Sequence, residues 1–167
     1  MRHEPSAKRD ERFPAPLLAE IARLAEQGYP KEICGLVIGR PEDPVTWEVR
    51  PIANIADAEP QVDPAGVRRD AHTAYLMDPL EELAVLKEMD ERGRDLVAIY
   101  HSHPDHDAYF SAMDRERALL RAGEPLWPGV TYLVMSVRSG KAAQARTYWW
   151  DANAAAFGEA TVSFPGM

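Results

Sequence analysis

The feature that most constrains this chain is the segment HSHPDHDAYFSAMD, which spans residues 101 to 114. It follows an apolar run, LVAIY, whose length and composition favour a buried strand. Side chains alternate along a strand, so His101 and His103 are expected on the same face. Pro104 cannot donate to a sheet ladder, so the strand should end there. The sequence therefore predicts two neighbouring imidazoles at the carboxyl end of a buried strand.

The second half of the segment predicts the start of a helix. Good helix formers follow Asp114, and the helix is expected to stop near Gly123. Ser111 suits the N-cap position. Asp114 falls in the first turn, where the helix dipole favours a carboxylate, and from there it could reach back to the strand. Ser-x-x-Asp is also the pattern of a capping box, and the two interpretations are compatible.

Together these side chains predict a zinc site. Zinc accepts imidazole and carboxylate ligands, and a catalytic site commonly leaves a fourth position for water. His101, His103 and Asp114 make such a set, and the metal would lower the pKa of that water towards ~7. The Ser111 hydroxyl is a candidate donor to an oxyanion, while the proton shuttle must come from elsewhere in the chain.

The spacing resembles the signature of the JAMM (MPN-plus, JAB domain) metallopeptidases. That signature reads His-Ser/Thr-His, seven residues, Ser, two residues, Asp, and both intervals are present here. An upstream Glu opens a strand of the type Glu-x-Cys/Ala-Gly, which EICGLVIG matches from Glu32 onwards. The resemblance implies that His101, His103 and Asp114 bind one zinc ion. It also implies that Glu32 is the general acid/base and that Ser111 supports the oxyanion.

The resemblance extends from about residue 16 to about residue 150 and is greatest for the compact bacterial branch of the family. It implies an α/β (α+β) domain with a cytidine-deaminase-like three-layer arrangement and a mixed, mostly antiparallel sheet flanked by helices. It also implies a ubiquitin-like or sulfur-carrier protein as substrate, hydrolysed at a peptide or isopeptide bond at its C-terminus. Phe110 and Met113 stand where Pro and Thr are common, but neither is an expected ligand.

The sequence is also compared with other functions of the same or a related chemistry. One is a deconjugating JAMM peptidase of a bacterial ubiquitin-like tagging or defence system. Another is a non-catalytic MPN scaffold, although scaffolds usually lack a ligand and every motif residue is present here. A nucleobase deaminase needs a Pro-Cys-x-x-Cys pair, which a single cysteine cannot supply. The HExxH helix of zincins is also absent from the sequence.

Length and charge limit the remaining possibilities. A chain of 167 residues suits one domain with its own core. We predict a flexible N-terminal arm over residues 1–14, the metallopeptidase domain over 15–152 and a C-terminal tail over 153–167. The net charge of −8 gives no basic footprint for nucleic acid or for an acidic membrane. The sequence does not fix an oligomeric state.

Other features bear on location. No apolar stretch approaches the ~20 residues of a membrane span, and the polar N-terminus lacks the hydrophobic region of a secretory signal. Cys34 is the only cysteine, which suits a reducing, cytoplasmic compartment. Because it lies in an apolar strand, Cys34 is expected to be an inert core residue.

The rest of the chain predicts alternating helices and strands. A helix follows Pro14 and ends near Gly28, and ICGLVIG and VTWEVRPI form a hairpin. Residues 53–70 are expected to form a loop beside the substrate groove. Residues 72–77 are predicted as a short strand, followed by a helix that begins after Asp78 and ends at Gly93. VTYLVMSV and AQARTYWW are two further strands.

Several side chains in these regions carry specific expectations. The helix after Asp78 has an apolar stripe that predicts a core face; its members are Leu80, Leu83, Leu86 and Met89. His72 lies outside the motif and is expected to be structural. His106 lies in the seven-residue spacer and is expected to contact substrate or solvent.

Overall fold

The computed structural model describes residues 8–164, whose strands and helices alternate largely as the sequence predicts. The elements in chain order are α1 (Ala15–Gly28), β1 (Cys34–Arg40), β2 (Asp43–Ile52), β3 (Gln61–Val62), β4 (Arg68–Arg69), α2 (Pro79–Glu91), β5 (Asp95–Pro104), α3 (Ala112–Ala118), β6 (Thr131–Arg138), β7 (Lys141–Asp151) and β8 (Ala156–Val162). A six-stranded sheet has the order β2-β1-β5-β6-β7-β8, and β3 pairs with β4 separately. Only β5 and β6 run parallel in the large sheet, which confirms a mixed, mostly antiparallel arrangement.

Helices cover both faces of this sheet. Helix α1 packs with Val37, Tyr100 and Leu133 on one face. Helices α2 and α3 pack on the opposite face, with the core that contains Ile99 and Val134. Since successive side chains of β5 alternate between faces, the odd-numbered residues from Ile99 onwards point towards α2 and α3. The predicted three layers are therefore confirmed, and His101 and His103 lie on the α2/α3 side.

Helix α2 begins where the sequence predicts, but its buried face is not the predicted one. The Asp78 carboxylate accepts hydrogen bonds from the first-turn amides of the helix, as an N-cap should. However, Leu80 is 78% exposed and Leu83 is 61% exposed, so the predicted core stripe is wrong for both. The face against the sheet is formed by Val85, with Leu86 and Met89 partly buried beside it. At about 3.6 residues per turn, Leu80 lies opposite that face.

The predicted strand over residues 72–77 is also wrong. Within this segment only Met77 forms a β-bridge, with Asn54. The Asn54 side chain adds two hydrogen bonds to the backbone of this segment. Its Nδ2 donates to the carbonyl of Ala74 (3.0 Å) and its Oδ1 accepts from the amide of Leu76 (3.0 Å). A single bridge, its backbone hydrogen bonds and the Asn54 side chain therefore hold this segment in place of a longer strand.

Two further boundaries differ from the prediction. The loop over residues 53–70 contains the short β3–β4 hairpin. Helix α3 ends at Ala118 instead of near Gly123, because Leu119 already adopts extended backbone angles. The amide of Leu120 then donates to the carbonyl of Glu124 (2.7 Å), which closes a turn where the helix was expected to continue.

The first described residues lie against strand β8, which falls within the predicted C-terminal tail over residues 153–167. The amide of Asp10 donates to the carbonyl of Thr161, and the amide of Thr161 donates to the carbonyl of Lys8, each at 2.8 Å. Phe13 is buried against Trp47. Residues 8–13 of the predicted arm therefore make defined contacts, while residues 1–7 and 165–167 lie outside the described residues. Within residues 8–164, no helix is long and apolar enough to span a membrane.

Asp10 offers a test of this terminal contact. Its carboxylate accepts hydrogen bonds from Arg12 (2.7 Å) and from the Thr147 hydroxyl (2.9 Å). Burial raises the pKa of Asp10, but the hydrogen bonds and the charge of Arg12 outweigh it and lower the pKa. A lowered folded-state pKa stabilises the fold above the unfolded pKa of ~3.9, and this contribution is lost as the pH falls.

We therefore expect Asp10→Asn to reduce the free energy of unfolding by about 1 kcal/mol at pH 7, measured by urea denaturation. The difference from wild type should shrink below about pH 4. Asp95→Asn, which changes an exposed aspartate at the start of β5, is the matched control and should have little effect. An Asp10→Asn difference that persists at low pH would contradict the assignment.

Candidate active site

His101 and His103 lie side by side at the end of β5. Both are buried, and their Nε2 atoms are 3.1 Å apart. Tyr75 packs on the ring of His101 (centroids 4.6 Å apart) and Tyr109 packs on that of His103 (4.8 Å). The two imidazoles are thus held between two phenol rings, with one nitrogen of each directed to a common point.

Asp114 brings a carboxylate to the same point from helix α3. Ser111 and Asp114 form a reciprocal capping box, in which the Ser111 amide donates to Asp114 Oδ2 (2.9 Å) and the Asp114 amide donates to Ser111 Oγ (3.0 Å). The same Oδ2 lies 3.3 Å from Nε2 of His101 and 3.8 Å from Nε2 of His103. The structure therefore joins the two interpretations of Ser-x-x-Asp, because the cap also aims the carboxylate at the histidines.

The geometry of these three atoms fits a shared cation. An imidazole Nε2 that carries no proton presents a lone pair, as does a carboxylate oxygen, and such groups repel one another unless a proton or cation lies between them. A tetrahedral ion with ligand bonds of about 2.0–2.1 Å separates its ligand atoms by about 3.3 Å. The separations of 3.1, 3.3 and 3.8 Å lie around this value. The three residues could therefore hold one small divalent ion.

The protonation states of His103 and Asp114 also suit a shared metal ion. Nδ1 of His103 lies 2.8 Å from the backbone carbonyl of Asp107, which fixes the ring hydrogen on Nδ1 and leaves Nε2 with a free lone pair. Burial, together with the nearby His101, lowers the pKa of His103 to about 4. Burial by itself raises the pKa of Asp114, but the two histidines and the Ser111 amide outweigh it and hold the pKa well below its usual range. A neutral imidazole and an ionised carboxylate are the forms that bind metals.

The ring of His101 is held differently. Its Nδ1 is buried, and among the described residues no group hydrogen-bonds to it. Packing between Tyr75 and His103 orients this ring instead.

Glu32 lies immediately before β1 and faces the same site. It is 6% exposed, and one of its carboxylate oxygens lies within 4.8 Å of a ring nitrogen of both His101 and His103. Its backbone is fixed on both sides: its amide donates to Ala71 (2.8 Å) and its carbonyl accepts from Asn54 Nδ2 (2.9 Å). Burial, and next the charge of Asp114, raise the pKa of Glu32 well above its usual range. This carboxylate is therefore suited to taking up a proton near neutral pH.

A cleft of about 340 Å³ joins the proposed acid/base to Ser111. Glu32, His103, Ser111 and Asp114 all line it. Ser111 Oγ accepts a hydrogen bond from the Asp114 amide, so its own hydrogen is left to donate towards the cleft. All five residues singled out from the sequence thus lie in one region of the molecule.

Residues that the motif does not contain complete the cleft wall. Arg69 and Arg117 also line it, and their charges oppose the rise in the pKa of Glu32. The Arg117 guanidinium donates to the carbonyl of Tyr75 and to the Gln61 side chain (2.5 Å), which ties α3 to the β3–β4 hairpin. No sequence motif marks these arginines, because Arg69 comes from a segment without regular hydrophobic spacing and Arg117 from within a helix. The sequence feature that came nearest to indicating this wall of the cleft was the unusual length of the loop over residues 53–70.

Three other residues noted in the sequence are not part of the cluster of His101, His103 and Asp114. His72 forms an exposed group with Asp57 and Asp70, and its Nδ1 is 3.0 Å from Asp70 Oδ1. His106 lines the cleft wall. Cys34 is 2% exposed within the core, and burial, followed by the charge of Glu32, raises the pKa of its thiol. A thiol in that environment is unreactive, as the sequence predicted.

Fold and site together define a three-layer α/β domain with a candidate metal centre at the end of its central strand. Residues 14–151 match the family described as prokaryotic homologs of the JAB domain. The chain belongs to this family, as the sequence motif predicts. JAB-family peptidases are generally metal-dependent, and the cluster of Glu32, His101 and His103 is a candidate metal-binding group.

Three named relatives are similar over most of this domain. The desampylase of Haloferax volcanii is 37% identical over 120 residues, which cover 72% of this chain and 73% of that protein. A probable TtuB-protein conjugate cleaving protease of Thermus thermophilus is 38% identical over 108 residues (65% and 63%). The CysO-cysteine peptidase of Mycobacterium tuberculosis is 28% identical over 134 residues (80% and 78%).

Solved structures show the same fold. The solution structure of a protein from Desulfitobacterium hafniense has a TM-score of 0.61 at 24% identity, covering 90% of this chain and 89% of that one. A protein from Salinibacter ruber gives a TM-score of 0.58 at 26% identity, covering 92% and 91%.

The site geometry predicts the stoichiometry of metal binding. The purified protein should bind one equivalent of zinc in isothermal titration calorimetry. His103→Ala and Asp114→Asn should each weaken the affinity at least ~100-fold, because each removes a ligand. His72→Ala is the matched control from the exposed cluster and should leave the affinity unchanged. Loss of binding in His72→Ala, with tight binding kept in His103→Ala, would place the metal elsewhere.

Proposed function

We propose that this protein is a zinc-dependent peptidase or isopeptidase that hydrolyses the bond at the C-terminus of a ubiquitin-like, sulfur-carrier-type protein. The observation that carries the proposal is the convergence of His101, His103 and Asp114 on one point, in the cleft that also contains Glu32 and Ser111. Family membership supports it. The relatives support it too, since their names denote cleavage of such conjugates or of a CysO-cysteine bond.

In this proposal each motif residue has one role. His101, His103 and Asp114 hold one zinc ion, which when bound supplies Lewis acidity for the attack of water on a carbonyl. The buried Glu32 carboxylate takes the proton of the attacking water and delivers it to the leaving amine. Its raised pKa, caused first by burial and then by Asp114, makes both transfers feasible at neutral pH. The Ser111 hydroxyl donates a hydrogen bond to the developing oxyanion.

The size of the cleft limits the substrate to an extended chain. A cavity of about 340 Å³ is at the low end for a small-ligand site and accommodates a few residues of tail. A folded ubiquitin-like domain must stay outside it. The reacting bond therefore lies in a flexible tail, joined either to an amino acid or to the side-chain amine of a lysine.

Cleavage of lysine-linked conjugates is the favoured activity of the two. The relatives named for conjugate cleavage or desampylation are 37% and 38% identical to this chain. The relative named as a CysO-cysteine peptidase is 28% identical. A cytoplasmic location fits this proposal, because a lone buried cysteine suits a reducing compartment.

Glu32→Gln tests the acid/base role. We expect kcat to fall by roughly 10²–10⁴ on a lysine-linked ubiquitin-like conjugate, because the amide cannot accept the proton. Zinc content by mass spectrometry and the circular dichroism spectrum should be unchanged. Glu20→Gln, on the exposed face of α1, is the control and should keep full activity. Full activity in Glu32→Gln would refute the mechanism, and a metal-free native protein without hydrolytic activity would favour a scaffold.

Ser111→Ala tests the oxyanion role separately from helix capping. We expect kcat to fall by roughly 10²–10³ with KM nearly unchanged, because the hydroxyl acts only in the transition state. The substitution also removes a cap that is worth about 1 kcal/mol of stability. Asp78→Ala removes the cap of α2 away from the motif and should lower stability similarly without changing kcat. Equal losses of activity in both variants would show that Ser111 serves the helix alone.

A further inference from the structure

The loop between the two halves of the motif is held by side chains at every carbonyl from residue 105 to residue 108. The four carbonyls accept in turn from Arg138 Nη1 (2.7 Å), Ser136 Oγ, His103 Nδ1 (2.8 Å) and Tyr148 Oη (2.6 Å). Three of these donors lie on β6 and β7, and the fourth is the candidate metal ligand itself. The loop is therefore a fixed connector whose third carbonyl determines the orientation of His103.

Asp105 is the residue from which this loop turns. Its φ of +56° lies in the left-handed region, which aspartate tolerates better than most residues. Its carboxylate accepts from the Tyr29 hydroxyl (2.6 Å) and from the Ser139 amide (2.8 Å). Its own amide donates to the carbonyl of Val137 (2.7 Å). The residue after helix α1, strand β6 and the β6–β7 turn thus all hold one exposed aspartate.

Arg138 connects this turn to the residue that contacts His103. One end of its guanidinium donates to the carbonyl of Asp105 and the other pairs with the carboxylate of Asp107. Asp107 supplies the carbonyl that accepts from His103 Nδ1. The planar fork of an arginine sets the distance between its two acceptors, which a lysine could not do.

Stability alone does not account for this arrangement. Arg138 and Asp107 are both exposed, and an exposed ion pair is usually worth less than about 1 kcal/mol. The contacts instead converge on the one carbonyl that fixes the tautomer of His103. Hydrogen bonds to the second nitrogen of a metal-binding histidine commonly orient the ring and set which nitrogen is free.

We propose that Asp105 and Arg138 are positioning residues for His103. They hold the Asp107 carbonyl so that the His103 hydrogen stays on Nδ1 and the Nε2 lone pair faces His101 and Asp114. The consequence for metal binding rests on the proposed function, in which His103 is a ligand. The effect on the tautomer does not depend on that function, so the two can fail separately.

The decisive experiment measures the tautomer in the metal-free protein by long-range ¹H–¹⁵N NMR of the His103 ring. Wild type should show a protonated Nδ1 and a bare Nε2. Arg138→Gln and Asp105→Gly should both show exchange between the two tautomers. Glycine is chosen because it keeps the left-handed turn and removes only the carboxylate. Asp105→Asn, which keeps an acceptor and tolerates the turn, should give an intermediate result.

Zinc affinity provides the second readout. Loss of a contact that supports a ligand typically weakens metal binding by about 10–100-fold, and we expect this for Arg138→Gln and Asp105→Gly. Arg92→Gln breaks exposed ion pairs with Glu48 and Glu88 at the opposite end of β5 from the loop, and it should change neither the tautomer nor the affinity. Folded variants with a wild-type tautomer and affinity would overturn the proposal. A shifted tautomer with unchanged zinc affinity would support the positioning of the ring and refute the ligand role of His103.

Discussion

The interaction on which this structure depends is the close approach of three lone-pair donors in a buried place. Two imidazole nitrogens and a carboxylate oxygen lie within 3.1 to 3.8 Å of one another, and all three side chains are buried. Placing such groups together away from water is unfavourable unless a positive charge is shared among them. A bound divalent cation would supply that charge. Hydrogen bonds hold His103 and Asp114 in the forms that bind a metal, and packing against Tyr75 orients His101.

The sheet places these groups by simple register. Cys34 of β1 lies opposite His101 of β5, so Glu32, two residues before Cys34, arrives beside the histidines from the neighbouring strand. The parallel pairing of β5 with β6 leaves the carboxyl ends of both strands at the same edge. From this edge the chain turns at Asp105 and reaches helix α3, whose first turn carries Asp114. Strand ends, one strained turn and one helix cap therefore bring together residues that are as much as 82 positions apart in the chain.

Sequence reasoning worked where local chemistry determines the structure. The capping box at Ser111, the N-cap at Asp78 and the strand end at Pro104 depend on backbone hydrogen bonds that a few residues supply by themselves. It was wrong where packing decides between similar patterns. The leucines of α2 have helical spacing, but only contact with the sheet selects Val85 over Leu80 as the buried residue.

Contacts between distant segments also limited what the sequence could predict about the site. The spacing of the motif anticipated a cluster of His101, His103 and Asp114, because strand alternation and a short loop restrict where those side chains can go. The sequence did not predict the contacts of Arg117, Asn54 and Asp105, since each is made with a distant segment: Gln61, Glu32 and Tyr29 respectively. Such pairings are properties of the folded chain and leave no periodic mark in the sequence.

In the proposed function, three side chains hold one metal ion at the end of β5. The most direct measurement is a crystal structure of the zinc-loaded protein with anomalous diffraction recorded on both sides of the zinc edge. We expect a single strong peak about 2 Å from Nε2 of His101, Nε2 of His103 and Oδ2 of Asp114. A peak at the exposed cluster of Asp57, Asp70 and His72, with none between the two histidines, would contradict it.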